Sequence, residues 1–162
     1  MSKTNKQRVW SCNEWDPLEE IIVGSVEGAI VPVWNPALES TTPVHAKWFF
    51  DKHGGQAFPD EMIEKATVEL DGLVKVLEDL DVIVHRPTKM DFSATTTTPW
   101  WSSKGLYSAM PRDVIMVIGD TLIEAPMAWR SRYFEIYAFR DVIHKLFNEG
   151  GKWLAAPKGS MA

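Results

Sequence analysis

Asp113 ends the run Met110-Pro-Arg-Asp and stands directly before two β-branched segments, Val114 to Ile118 and Thr121 to Ile123. A carboxylate at the root of a strand is held rigidly. It can accept two parallel N–H bonds from a planar cationic group and so fix that group's orientation. The plainer reading is an Asp that caps the turn before the strand. Arg112, Arg130 and Arg132 supply the complementary chemistry, because an arginine fork suits a carboxylate, and they are candidates for clamping an α-carboxylate. Their plainer reading is solvation, or pairing of Arg130 or Arg132 with Glu135.

Other reactive side chains offer less. Cys12 would need a histidine or a helix terminus to become a nucleophilic thiolate, and a lone cysteine reads instead as a small buried apolar residue. His45, His53, His85 and His144 show no metal-ligand spacing and read as structural or surface residues. Gly54-Gly55 and Gly150-Gly151 lack the surroundings of a phosphate loop. No metal and no cofactor is expected. Trp15, Trp129 and Trp153 read as core or interface anchors, and Trp100-Trp101, beside the Thr95 to Thr98 run and Pro99, as a surface pair in a loop.

These residues need a scaffold, and the spacing of apolar positions outlines one. Glu19-Glu-Ile-Ile-Val-Gly24 reads as a strand closed by glycine. Ser25 to Phe58, with Pro32, Pro36, Pro43 and interleaved aromatics, reads as a long loop, and such loops usually serve function. Pro59-Asp-Glu opens a helix whose Leu70, Leu73, Val74 and Leu77 share what reads as a buried face. Val82 to Val84 follows as a strand stopped before Pro87. In the second half, Gly119-Asp120 reads as the turn of a hairpin. A helix capped by Ser131 and stopped by Gly150-Gly151 follows, with Phe139, Val142, Ile143 and Leu146 inward, and then a strand from Lys152 to Ala156. Leu70 and Phe139 are 69 positions apart, and Pro87 and Pro157 are 70 apart. Two copies of a strand, strand, helix, strand unit account for this, the first copy's second strand not being legible.

Composition narrows the class. With 45% hydrophobic and 24% charged residues among 162, the chain can build an ordinary folded core. A net charge of −5, with its 17 Lys and Arg scattered, excludes a general nucleic-acid surface. No apolar run reaches the roughly 20 residues of a membrane span, and no secretory signal opens the chain, so no membrane partner and a cytoplasmic location are expected. The single cysteine forms no intrachain disulfide and fits a reducing compartment.

Three blocks go beyond generic patterning. They are Asn13-Glu-Trp-Asp-Pro-Leu-Glu-Glu-Ile-Ile-Val-Gly24, the stretch from Gly105-Leu-Tyr-Ser-Ala-Met-Pro-Arg-Asp113 to Glu124-Ala-Pro-Met-Ala-Trp-Arg-Ser-Arg132, and Gly151-Lys-Trp-Leu-Ala-Ala-Pro-Lys158. Together they resemble the amidinotransferases, and the glycine amidinotransferase branch in particular, over the N-terminal part of that family. The resemblance implies the α/β propeller called the pentein fold, of which this chain would supply about two of five ββαβ modules as an incomplete ring. On that plan residues 1–12 form a tail, 13–90 a first module with the aromatic-rich loop, and 91–162 a second, within a single partial domain.

The resemblance also assigns a reaction. A cysteine thiolate attacks the guanidinium carbon of L-arginine, ornithine leaves with a proton from histidine, and an amine acceptor, glycine or a related amine, displaces the covalent amidino-cysteine. Asp113 takes the role of guanidinium contact, with Arg112 and Arg130 as further substrate-binding candidates. Cys12 matches no part of the family's cysteine motif, and that cysteine and the histidine are expected beyond Ala162, so residues 1–162 are expected to be inactive alone. Two alternatives keep the blocks but change the outcome: a guanidine-hydrolysing deiminase of the same fold, or a non-catalytic fragment or assembly module. Unpaired strand edges would favour a homo-oligomer or a complementing C-terminal part.

Overall fold

Strand β1 (Glu20–Ile22) comes from the β-branched run that Gly24 closes, in a computed structural model that describes residues 7–161. The chain then passes through helices α1 (Pro36–Thr41), α2 (Lys47–His53) and α3 (Asp60–Asp79) before β2 (Ile83–His85). β2 lies parallel to β1, with Glu20 opposite Ile83.

Ser25 to Phe58 is therefore not one long loop. Asn35 caps α1 by accepting from the Ala37 and Leu38 N–H groups at 3.0 and 3.2 Å, Pro36 presets the first turn, and Leu38 is fully buried. Phe49 of α2 packs against Phe50, His53 and Phe58, so aromatic contacts hold a helix too short to stand alone. α3 starts as expected, with Pro59 at its cap and Asp60 and Glu61 in its first turn. Its apolar face is not buried. Leu70, Val74 and Leu77 are half-covered, and Leu73 remains 48% exposed, because the two-stranded β1–β2 sheet is too narrow to cover the face.

The second half begins with a small hairpin of β3 (Thr96–Thr97) and β4 (Ser102–Ser103). A single helical turn, α4 (Pro111–Val114), leads into β5 (Ile115–Ile118), β6 (Thr121–Glu124), α5 (Arg140–Asn148) and β7 (Lys152–Ala155). β6 is central, antiparallel to β5 and parallel to β7. Gly119 makes the expected turn at φ +57°, a conformation that favours glycine. Ser131 does not cap α5. Residues Arg130–Arg132 and Glu135–Phe139 form 3₁₀ turns first, and the Ala138 carbonyl accepts from the Thr88 N–H at 2.7 Å, which holds this segment out of the α-helical ladder.

Ile83 and Lys152, which open β2 and β7, are 69 positions apart, the spacing already seen between Leu70 and Phe139. The parallel pair β1–β2 matches β6–β7. Among the described residues β1 and β2 form a two-stranded sheet, with no strand in the place that β5 takes beside β6.

The core gathers Val114, Ile115, Leu122, Ile136, Phe139, Val142, Ile143 and Leu146 between the β5–β6–β7 sheet and α5. Val9 joins it, and Ser11 exchanges hydrogen bonds with Gly119 at 2.9 and 2.7 Å. Trp153 packs on this core, whereas Trp15 is 84% exposed and lies outside it. Trp100 lies on the surface as expected. Its neighbour Trp101 is buried, edge-on to Tyr133, with Nε1 donating to the Ser160 carbonyl at 2.8 Å.

Candidate functional site

Pro111 fixes the first helical φ of α4, and Val114 at its end is fully buried. The Ala125 N–H donates to the Val114 carbonyl at 3.0 Å, so the turn is tied to the strand after the hairpin. Asp113 sits on this turn with its side chain 43% exposed. The segment before it is fixed too, since Ser25 and Ser108 exchange backbone hydrogen bonds at 3.0 and 3.2 Å.

Of the three candidate arginines, the structure joins Arg132 to Asp113. Its Nη1 donates to Asp113 Oδ2 at 2.6 Å, while Nε and Nη2 form a fork on Glu135 at 2.5 and 3.0 Å. Arg132 and Glu135 are both buried, and the Tyr107 ring lies 5.5 Å from the guanidinium carbon. Burial opposes the Arg132 charge, but the hydrogen bonds that it donates to Glu135 and Asp113 outweigh it and raise the guanidinium above the usual arginine range. Burial pushes the Glu135 carboxyl up against the fork from Arg132. Both Glu135 oxygens accept N–H bonds, which is the geometry of an ionised carboxylate. Burial likewise raises the Tyr107 hydroxyl.

Arg112 turns to solvent, 88% exposed and 3.8 Å from Glu14. Arg130 lies over Trp101 and donates to the Met161 carbonyl at 3.0 Å. Glu135 surfaces in the sequence only as a possible arginine partner. The signal for its role is an acidic residue three positions after Arg132, a spacing that brings side chains together on a helical turn.

Two further charged clusters are structural in their connections. Buried Glu124 accepts from Arg140 and from Trp153 Nε1 at 2.9 Å, with Arg140 stacked between Tyr137 and Trp153. Arg8 bridges Glu20 and Glu149, and Glu20 also meets His85. The Arg8 bond, working against partial burial, holds the Glu20 carboxyl down at about 2. Cys12 is exposed and free, not buried as the sequence suggests. Among the described residues no group of three His, Cys, Asp or Glu is placed to hold a metal ion, and no helix is long and apolar enough to cross a membrane. A surface concavity of about 320 Å³ is lined by Arg8, Asp120, Glu149 and Lys152 and includes neither Asp113 nor Arg132.

A glycine amidinotransferase of Xenopus tropicalis, named as mitochondrial, is 48% identical over 154 residues, covering 95% of this chain and 36% of that protein. A solved amidinotransferase of Microseira wollei, from the saxitoxin biosynthetic pathway, superposes with a TM-score of 0.88 at 46% identity over 95% of this chain and 44% of that one. The chain belongs to the amidinotransferase family. An L-arginine:L-lysine amidinotransferase of Pseudomonas savastanoi pv. phaseolicola is 46% identical, with 95% of this chain and 42% of that protein covered. The inosamine-phosphate amidinotransferase of Streptomyces griseus superposes with a TM-score of 0.84 at 37% identity, covering 95% and 44% of the two chains. No family model matches. This amidinotransferase chain shares the α/β pentein fold of its solved relatives, and it spans 36 to 42% of the length of the curated relatives named here.

Proposed function

We propose that this chain is the guanidinium-holding, N-terminal part of an enzyme that moves the amidino group of L-arginine to an amine acceptor, glycine or a related amine. It would supply about two of the five pentein modules, and the reaction would run through a covalent amidino-cysteine. The observation that carries the reading is Asp113, a half-exposed carboxylate on a fixed turn inside Met110-Pro-Arg-Asp113, in a chain 48% identical to a glycine amidinotransferase. Its exposed edge can meet a cationic guanidinium, and each carboxylate oxygen accepts more than one N–H bond, so Arg132 does not exhaust it. Arg112 and Arg130, both exposed, are the candidates for the substrate's carboxylate. Cys12, exposed and outside the family's cysteine motif, is not the nucleophile in this reading, and the thiolate and the histidine come from the remaining modules.

The test is a titration of the isotope-labelled chain with L-arginine and, separately, with citrulline, which lacks the guanidinium cation. Arginine is expected to shift the Asp113 carboxyl and Met110 to Val114 amide signals, citrulline to leave them unchanged, and Asp113→Asn to abolish the response. Equal responses to both ligands, or a response that survives Asp113→Asn, refute the anchor. Incubation with arginine and glycine is expected to yield no guanidinoacetate from residues 1–162 alone, and its appearance refutes the division of labour.

A further inference from the structure

Two carboxylates and one guanidinium meet at the site, and their charges do not cancel. Arg132 presents five N–H donors; Nε and Nη2 are spent on Glu135, which is 2% exposed, and one Nη1 donor reaches Asp113. The Met110 backbone also holds Glu135 by a hydrogen bond, so the fork is anchored on the segment that leads into α4. Arg112 does not alter the count, since it faces solvent toward Glu14. The cluster therefore carries one uncancelled negative charge, and its exposed end is Asp113, 43% open against 8% for Arg132.

We propose that the Glu135–Arg132 pair is the positioning device of Asp113: Arg132 orients the carboxylate, and Glu135 cancels the Arg132 charge so that Asp113 keeps its own for a cationic guanidinium. The inference rests on the reading of Asp113 given above. A planar, fork-held arginine has few rotamers left, so its remaining N–H pins one Asp113 oxygen while the other edge of the carboxylate stays open. Without Glu135, Arg132 and Asp113 would form a neutral pair with no surplus for a second guanidinium. The face of the Tyr107 ring supports the Arg132 guanidinium.

The arginine titration tests this in three arms. Glu135→Gln keeps the shape of the side chain and removes its charge, and it is expected to weaken arginine binding about tenfold. Arg132→Lys keeps the charge on Glu135 but loses the planar fork, and a similar weakening is expected with the fold retained. In the unaltered chain, the Arg132 side-chain N–H signals are expected to stay protected from solvent exchange as arginine binds. The proposal is overturned if folded Glu135→Gln or Arg132→Lys binds arginine within twofold of the unaltered chain, or if arginine displaces Arg132 and its N–H protection is lost. That last arm needs no variant, so a substitution that unfolds the chain leaves the proposal open to refutation. An arginine response that persists in Asp113→Asn identifies failure of the anchor itself, separately from failure of its positioning.

Discussion

Gly24, two residues after β1, lies against the segment that leads to Asp113, and the approach there is closer than any side chain allows. A Cβ at this position would lie 2.2 Å from the Ala109 carbonyl oxygen and 2.6 Å from that of Ser108. Both are backbone atoms, so Gly24→Ala must part the two segments by about 1 Å to reach ordinary contact, a case of overpacking that costs roughly 1–3 kcal/mol. The reciprocal Ser25–Ser108 hydrogen bonds, 3.0 and 3.2 Å, would stretch past useful length, and each contributes about 1 kcal/mol. The expected loss is about 3 kcal/mol, measured by urea unfolding at neutral pH with tryptophan fluorescence as the signal. Gly72, exposed in the middle of α3 with nothing within 4 Å of an added Cβ, is the internal control. Gly72→Ala is expected to stabilise by about 0.5–1 kcal/mol through helix propensity alone. A Gly24→Ala chain within about 0.5 kcal/mol of the original would refute the steric argument. The same substitution should also blunt the arginine response, because Ala109 is four residues before Asp113 in the same fixed segment.

Three other outcomes are expected. The Glu20 carboxyl is depressed to about 2 from an ordinary 4.5, so its contribution is fully present above about pH 5 and is lost as pH falls toward 2. With its side chain 21% exposed and solvent screening allowed for, that contribution is about 1–2 kcal/mol. Glu20→Gln should flatten the fall of the urea midpoint between pH 7 and pH 3, and an unchanged slope would reject the assignment. Phe139→Ala, at a fully buried position, should cost about 3–5 kcal/mol, whereas Leu73→Ala on the uncovered face of α3 should cost under about 1 kcal/mol; equal losses would mean that the face is covered. Glu124→Leu strands Arg140 and the Trp153 indole N–H and should cost about 3–5 kcal/mol, to be read as a shifted unfolding midpoint with an unchanged slope; a near-neutral result would show that those donors find water.

Some of this was legible in the residues. The hairpin at Gly119-Asp120 followed from local turn chemistry, and the inward set Phe139, Val142, Ile143 and Leu146 from helical spacing, because both are rules about neighbours in sequence. The short helices α1 and α2 were missed although Asn35-Pro36 is a helix-start signal, since the density of proline and glycine around them outweighed it. α3 shows a different limit: periodicity says which residues share a face, and only the surroundings say whether anything covers it.

The site divides the same way. The amino-acid sequence by itself determined that a carboxylate stands at Asp113 before a strand, that arginines lie within reach along the chain, and which family's blocks surround them. Only the tertiary structure decided that Arg132 is the arginine bonded to Asp113, that Glu135 is buried beneath it, and that Trp101 rather than Trp100 turns inward. Arg130 and Arg132 have the same side chain two positions apart, and no local rule separates them. Their fates differ because the 3₁₀ turn points one toward the Met161 carbonyl and the other toward two carboxylates, one of them from a turn 19 residues earlier. A charge pair of that kind forms where the packed backbone places it.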